Sequence, residues 1–269
     1  MPYKTISYDK QGAVARVMLN RPRYRNAQSR VLLEEMDEAF GHAAEDDDVR
    51  VIVLGGVGDH FSAGHDLGTP EESEDAQRRA YSQGMRGLYQ RSWDLYIDKT
   101  LRWRDLPKPT IAQVQGWCIF GGWMISASMD LIVAADDARF LPGMLQYFSI
   151  PWDLGVRKAK EILFQTRFVS AQEACELGFV NMVVPRAQLE QRTQELANSI
   201  AENDRFMLRM LKFSINQAQD VMGFSTSIRA AHSNFMLQGG RLRQDGDKAQ
   251  ARRLKPVDQA LKKLDKPDR

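Results

Sequence analysis

Gln115-Gly-Trp-Cys-Ile-Phe-Gly-Gly-Trp-Met124 and, upstream of it, Gly58-Asp-His-Phe-Ser-Ala-Gly-His-Asp-Leu67 share one construction. Each follows a short apolar run, Thr110 to Val114 for the first and Val49 to Leu54 for the second, of the kind that suits a buried strand. Gly55-Gly-Val-Gly58 turns the chain out of one run, and Gly116 follows the other. Gly121-Gly122 stands where a short helix opens, ending near Asp130. Glycine lets the backbone approach a ligand closely. The first turn of a helix leaves N–H donors without partners in the helix. Two such donors brought from separate loops can clamp one oxyanion. Strand–glycine–helix turns also serve purely structural ends, so the construction by itself leaves both readings open.

Working outward, strand and helix keep alternating. Val14 to Leu19 reads as a strand, stopped by Asn20-Arg-Pro-Arg23. Ser29 is placed to cap a helix carrying Leu32, Leu33, Met36, Ala39 and Phe40 at helical spacing. Glu71 to Arg104, charged with Tyr81, Tyr89, Trp93, Tyr96 and Trp103 interleaved, reads as a helical excursion ended by Pro107 and Pro109. Leu131 to Ala135 is a further strand. Ser170 and Glu173 form a capping box for a helix to Leu177, with Gly178 past its end. Val180 to Val184 is the final short strand. From Arg186 the pattern is helical, with Leu189, Leu196 and Ile200 and then Leu208, Leu211 and Ile215 on apolar faces. This is a βαβ-type arrangement without repeats or an obvious linker, and Lys255 to Arg269 is expected to fray.

Composition narrows the function classes. With 269 residues and 43% hydrophobic content, the chain can bury one sizeable core. A net charge of +2 gives no global field to attract nucleic acid. The basic run from Arg241 to Arg253 reads as a solvated helix face. The two cysteines, Cys118 and Cys175, have no metal-ligand spacing, and so few fit a reducing compartment. No run approaches the roughly 20 apolar residues of a membrane span, and nothing near Met1 suits a signal peptide. A cytoplasmic protein with no nucleic-acid or membrane partner is expected.

The segment His60-Phe-Ser-Ala-Gly-His-Asp-Leu67 resembles the first signature of the crotonase (enoyl-CoA hydratase/isomerase) superfamily. Gln115 to Gly122, followed by Asp130-Leu-Ile-Val-Ala-Ala-Asp-Asp-Ala-Arg-Phe140, resembles the second. Arg21-Pro-Arg-Tyr-Arg-Asn-Ala27, Pro107-Lys-Pro-Thr-Ile-Ala112 and Ser170-Ala-Gln-Glu-Ala-Cys-Glu-Leu-Gly-Phe-Val-Asn181 are similar to its early loop, strand entry and downstream helix, so the likeness runs over about residues 10 to 215 in order. It implies an α/β fold, the ClpP/crotonase-like spiral of ββα units with two nearly perpendicular sheets. Residues 1–200 would form the acyl-CoA-binding core and 201–269 a helical region for oligomerisation into a homotrimer or a hexamer of paired trimers. Met207, Leu208, Met210, Leu211, Phe213, Phe224, Phe235, Met236 and Leu237 offer apolar material for those contacts or for the chain's own core. The resemblance also implies that the amides of His65 and Gly121 hold a thioester enolate. Coenzyme A would enter as part of the substrate, with no tightly bound cofactor, along Arg25, Asn26 and Ala27, Ala63, and His65, Asp66, Leu67 and Gly68, reaching Gly121.

Departures from the family pattern bear on the reaction. The two glutamates that hydratases use fall on Met124 and Met144, which cannot transfer protons. Asp153, in Ile150-Pro-Trp-Asp-Leu-Gly155, matches an active-site aspartate of naphthoate synthases and 4-chlorobenzoyl-CoA dehalogenases. Trp152 and Met144 beside it would desolvate it and raise its pKa. Equally, Asp153 reads as the N-cap of a helix over Leu154 to Phe164. No tyrosine follows Tyr147, whereas naphthoate synthases use a late one. His60, Tyr89 and Tyr96 are further proton-transfer candidates, and Trp117, Phe120, Trp123, Phe148 and Trp152 suggest an apolar or cyclic acyl group, or plain core. Three functions stay open: a hydratase/isomerase-type lyase or isomerase, an Asp153-centred hydrolase or ring-closing enzyme, and a non-catalytic acyl-CoA-binding protein.

Overall fold

The computed structural model describes residues 3–243 and 248–264. The side chains of the basic run from Arg241 to Arg253 and the tail 265–269 lie outside the described residues. Among the described residues, nine strands form two sheets. The larger contains β1 (Ile6–Gln11), β2 (Val14–Leu19), β3 (Val51–Gly56), β4 (Thr110–Val114), β6 (Leu131–Ala135) and β9 (Met182–Val184), in the order β1-β2-β3-β4-β6-β9. The β1–β2 hairpin is antiparallel and every other pairing in this sheet is parallel. The smaller sheet joins β5 (Trp117–Ile119), β7 (Arg139–Leu141) and β8 (Val169–Ser170).

The continuous apolar run of β3 has a direct cause: both faces of the large sheet are covered. Ile52 and Leu54 face a main core shared with Leu32, Leu33, Met36 and Phe40 of α1 (Arg30–Glu45). Val51 and Val53 face a second core under Leu189 and Ala197 of α9 (Leu189–Ala201). Each such fully buried aliphatic side chain stabilises the fold by about 1.5–3 kcal/mol. The expected caps form, with the Ser29 hydroxyl accepting from the Leu32 amide and the Ser170 hydroxyl from the Glu173 amide, at the start of α8 (Ala171–Glu176).

Several boundaries differ from the sequence reading. The strand expected at Val49 to Leu54 runs later, over β3, and the one expected at Val180 to Val184 starts only at Met182. The excursion expected over Glu71 to Arg104 is broken into α2 (Pro70–Arg78), α3 (Gly84–Ser92), a π-helical turn Trp93–Asp98 and α4 (Lys99–Arg104), with Gly84 at φ 77° opening α3. The helix opened by Gly121 is α5 (Gly121–Ser126), shorter than the reach to Asp130. Asp153 is not an N-cap. It lies inside α6 (Ile150–Leu154), and Gly155 at φ 75° separates this turn from α7 (Val156–Gln165).

The C-terminal helices are α10 (Arg205–Val221), α11 (Phe224–Arg243) and α12 (Lys248–Leu264). On α11, Phe224, Ile228, His232 and Met236 recur every fourth residue and are buried. Phe224 meets Tyr147 and Trp152, and His232 accepts or donates at 2.8 Å with the Ser92 hydroxyl. Phe224 and Met236 are therefore intrachain core, whereas Met207, Met210, Leu211, Phe213 and Leu237 are exposed. Ala260 of α12 packs on Ile119, Leu141 and Phe168 beside Trp117 and Phe120.

Candidate active site

Three loops meet at the C-terminal ends of β3 and β4. Segment 58–68 lies between the turn Arg21 to Gln28 and β5. On one side the Ala63 amide donates to Arg25 O at 2.9 Å, the Gln28 amide to Gly64 O at 2.8 Å and the Asp66 amide to Gln28 O at 3.0 Å. On the other, the Ser62 amide donates to Trp117 O and the Ile119 amide to Ser62 O. Loop 58–68 is thus zipped to both neighbours by main-chain bonds, which satisfy its polar backbone and fix where its amides point.

Glycine is required where the loops touch. A Cβ on Gly64, whose φ is 91°, would lie 2.7 Å from Ile119 O and 3.1 Å from the Gly121 nitrogen. A Cβ on Gly121 would lie 2.5 Å from Gln28 Oε1 and 3.0 Å from His65 Cδ2. These approaches put the His65 ring against Gly121. Gly121 is the first residue of α5, so the helix offers its amide no acceptor. Phe120, just before it, has φ 48° and ψ −100°. Such a backbone costs about 1–3 kcal/mol and clusters at functional sites. Main-chain bonds hold it there: its amide donates to Leu141 O and its carbonyl accepts from the Met124 amide.

The early turn is equally constrained. Arg25 and Asn26 are left-handed at φ 50° and 54°. The buried Asn26 side chain donates to Val57 O and His60 O and accepts from the Arg21 amide. Arg21 donates to Asp66 at 2.8 Å, and Asp66 also accepts from Gly68 and Thr69. Burial pushes the Asp66 pKa up, but these hydrogen bonds outweigh it and hold the carboxyl below its ordinary range. The Asp66 carboxylate is occupied by its own chain and fixes loop geometry. Leu67 and Gly68 border a cleft of about 480 Å³ between α2 and α3. Arg25 lies 5.0 Å over the Trp117 ring, which stacks on His60 at 4.9 Å at the edge of a second recess.

Asp153 approaches from α6. Its Oδ2 accepts from Trp123 Nε1 at 3.0 Å and from the Ser149 hydroxyl at 2.7 Å. Burial pushes its pKa up to about 6, and the two hydrogen bonds moderate that rise. Trp123 is in α5, two residues after Gly121, so one short helix carries both the amide and the anchor of the carboxyl. The hydrogen-bond partners are Trp123 and Ser149. Met124 is fully buried and Met144 is exposed.

The other candidates separate. Trp123 stacks on Phe179 at 3.9 Å in the core. Tyr89 stacks on Trp93 beside His232. His60 Nδ1 accepts from the Trp117 amide at 3.2 Å. Tyr96 reaches loop 58–68 from the helical excursion, its ring 4.2 Å from that of His65. Gln28 and the Trp123–Asp153 bond escaped the sequence reading. Only the position of Gln28 directly after Asn26-Ala27 could have marked it. Among the described residues, no group of His, Cys, Asp or Glu side chains gathers as a metal site requires, and no helix is long and apolar enough to cross a membrane.

Comparison with known proteins gives one consistent result. Residues 9–246 match the family model described as enoyl-CoA hydratase/isomerase. The chain is 38% identical over 245 residues to EchA13 of Mycobacterium tuberculosis, named as a candidate enoyl-CoA hydratase, covering 84% of this chain and 76% of that one. It is 32% identical over 236 residues to a hydroxycinnamoyl-CoA hydratase-lyase of Pseudomonas fluorescens, covering 81% and 80%. A crystal structure of a candidate enoyl-CoA hydratase from Mycobacterium smegmatis superposes with a TM-score of 0.82 at 41% identity, covering 90% of this chain and 97% of that one.

Proposed function

This chain belongs to the enoyl-CoA hydratase/isomerase family, and from that premise we propose that it is an acyl-CoA lyase or isomerase acting next to a thioester carbonyl. The observation that carries the proposal is the contact between Gly64-His65 and the start of α5. It supports a pair of donors, the amides of His65 and Gly121, aimed at one oxygen. A thioester α-proton is weakly acidic, and charge moves to the carbonyl oxygen as it leaves. Preorganised donors at that oxygen are worth about 3–4 kcal/mol each by the cost of removing one.

Proton transfer falls to Asp153. Met124 and Met144 cannot supply it, and a carboxyl with a pKa of about 6 both takes and returns a proton near neutral pH. Coenzyme A is part of the substrate, following Arg25, Ala27, Ala63 and the loop from His65 through Asp66 and Leu67 to Gly68. Its phosphates suit the Arg25 side. The likeness to a hydratase-lyase favours a second reading on the same hole, in which a β-hydroxyacyl-CoA is cleaved and the enolate leaves. The chain acts in the cytoplasm as a homotrimer or paired trimers, with residues 201–269 providing the contacts.

The purified protein is to be incubated with straight-chain, cyclic and aryl enoyl-CoAs in heavy water and the products followed by mass spectrometry. Hydration, isomerisation, cleavage or α-deuterium exchange is expected, and Asp153→Asn should lower it by about 10²–10⁴ while ester binding survives. Full turnover in that variant removes Asp153 from the mechanism. Binding without any mass change would leave an acyl-CoA-binding protein.

A further inference from the structure

Both hydrogen bonds to the Asp153 carboxyl arrive at the same oxygen. Trp123 Nε1 and the Ser149 hydroxyl converge on Oδ2, at 3.0 and 2.7 Å. Ser149 is fully buried, and Trp123 is locked between Phe140 and Phe179. Neither donor can swing away without opening the core. We propose that Trp123 and Ser149 are positioning residues that clamp Oδ2 of Asp153, so that Oδ1 is the oxygen that exchanges a proton with the acyl-CoA. This rests on the reading of Asp153 as the proton-transfer group.

The chemistry follows from counting lone pairs. An oxygen that already accepts two hydrogen bonds is a poor place for a proton, because the proton would have to displace a donor. The acid form therefore carries its hydrogen on Oδ1. In the forward step Oδ1 takes the α-proton. The C–H electron pair becomes the C=C bond of the enolate, and the carbonyl π pair moves to the oxygen held by the His65 and Gly121 amides. If the proton on Oδ1 is first replaced from solvent, its return to the α-carbon gives exchange; in a β,γ-unsaturated ester the enolate is a dienolate, and delivery to its γ-carbon gives isomerisation. No electrons are gained or lost overall.

The clamp also sets when this proton is available. Around the carboxyl stand Trp123 from α5, Ser149 at the start of α6, and the buried Tyr147 phenol, which feels the charge on Asp153. Burial opposes that charge, and the two donors favour it. Removing one donor must make the carboxyl harder to ionise.

The test uses the full chain with ¹³C-labelled aspartate, the Asp153 signal being identified as the one missing from Asp153→Asn. In Ser149→Ala the Asp153 titration should move up by about one pH unit, and the ascending limb of the kcat profile should move with it. The rate should fall about tenfold on the ascending limb, well below the titration point, and about twofold at neutral pH, with KM changed less than kcat. Ser149→Cys, a weaker donor of similar size, should fall between. An unmoved titration and an unmoved pH profile in both variants would overturn the clamp. A titration that moves while Asp153→Asn keeps full turnover would overturn the parent reading, and the positioning role with it.

Discussion

Gly64 carries more of the site than its size suggests. Its φ of 91° is strained for any other residue, and a Cβ there would press on Ile119 O and the Gly121 nitrogen, both main-chain atoms that cannot rotate aside. Gly64→Ala should therefore separate the two loops, with a stability loss of about 1–3 kcal/mol and a fall in turnover of about 10²–10³, the size of effect seen when an oxyanion donor is misplaced. Urea unfolding and single-turnover rates measure the two losses. A variant that keeps full turnover would show that the contact does not set the donor geometry. Gly121 is a gentler case, because the nearest atom to its missing Cβ is the flexible end of Gln28. The sequence made both glycines visible through their motifs. It could not reveal why each is needed, since the atoms that crowd them come from segments tens of residues away.

At the scale of elements, α11 is the strap to test. Its buried row Phe224, Ile228, His232 and Met236 presses on α6 at one end and on α3 at the other. His232 is the polar member, facing the Ser92 hydroxyl, the Tyr89 phenol and Trp93, with Arg229 of its own helix over Trp93. Burial lowers its pKa below the ordinary imidazole value of 6.5. Unfolded, it would protonate at that ordinary value, so the folded state binds fewer protons. The stability it confers is complete above the ordinary value and falls as pH drops through it. Wild-type protein should lose stability as pH falls below that point, and His232→Gln should flatten the slope, read from urea midpoints at several pH values. An unchanged slope would acquit His232. The elements themselves were unevenly legible. Both faces of β3 are covered, so its apolar run was plain. Strands β5, β7 and β8 have two or three residues and leave no period to detect. The break at Gly155 looked like one continuous helix because Leu154 to Phe164 keeps helical spacing across it, and that hid the true place of Asp153.

For the whole molecule, one face remains unexplained by the single chain. Phe206, Met210 and Phe213 stand on α10 at helical spacing, with Phe206 at 64% and Phe213 at 62% exposure. Contiguous apolar surface of this kind marks an interaction site. On the family reading it is buried between subunits, so replacing Met210 and Phe213 with glutamate should shift the sedimentation coefficient from trimer or hexamer to monomer. A wild type that sediments as a monomer would end that reading. The pairing of α5 with α6 through Trp123 and Asp153 belongs to this scale too. Its partners are 30 residues apart in the chain, and only the packed core brings them together.

The donors in the proposed oxyanion hole are main-chain amides, and this has a consequence for descent. No point mutation can delete a main-chain amide except by introducing proline or distorting the loop. Side chains around the hole are therefore free to drift while its electrophilic pull is inherited intact. On the proposed function, Met124 and Met144 leave that pull untouched, and a carboxyl on a neighbouring helix is free to take over the proton.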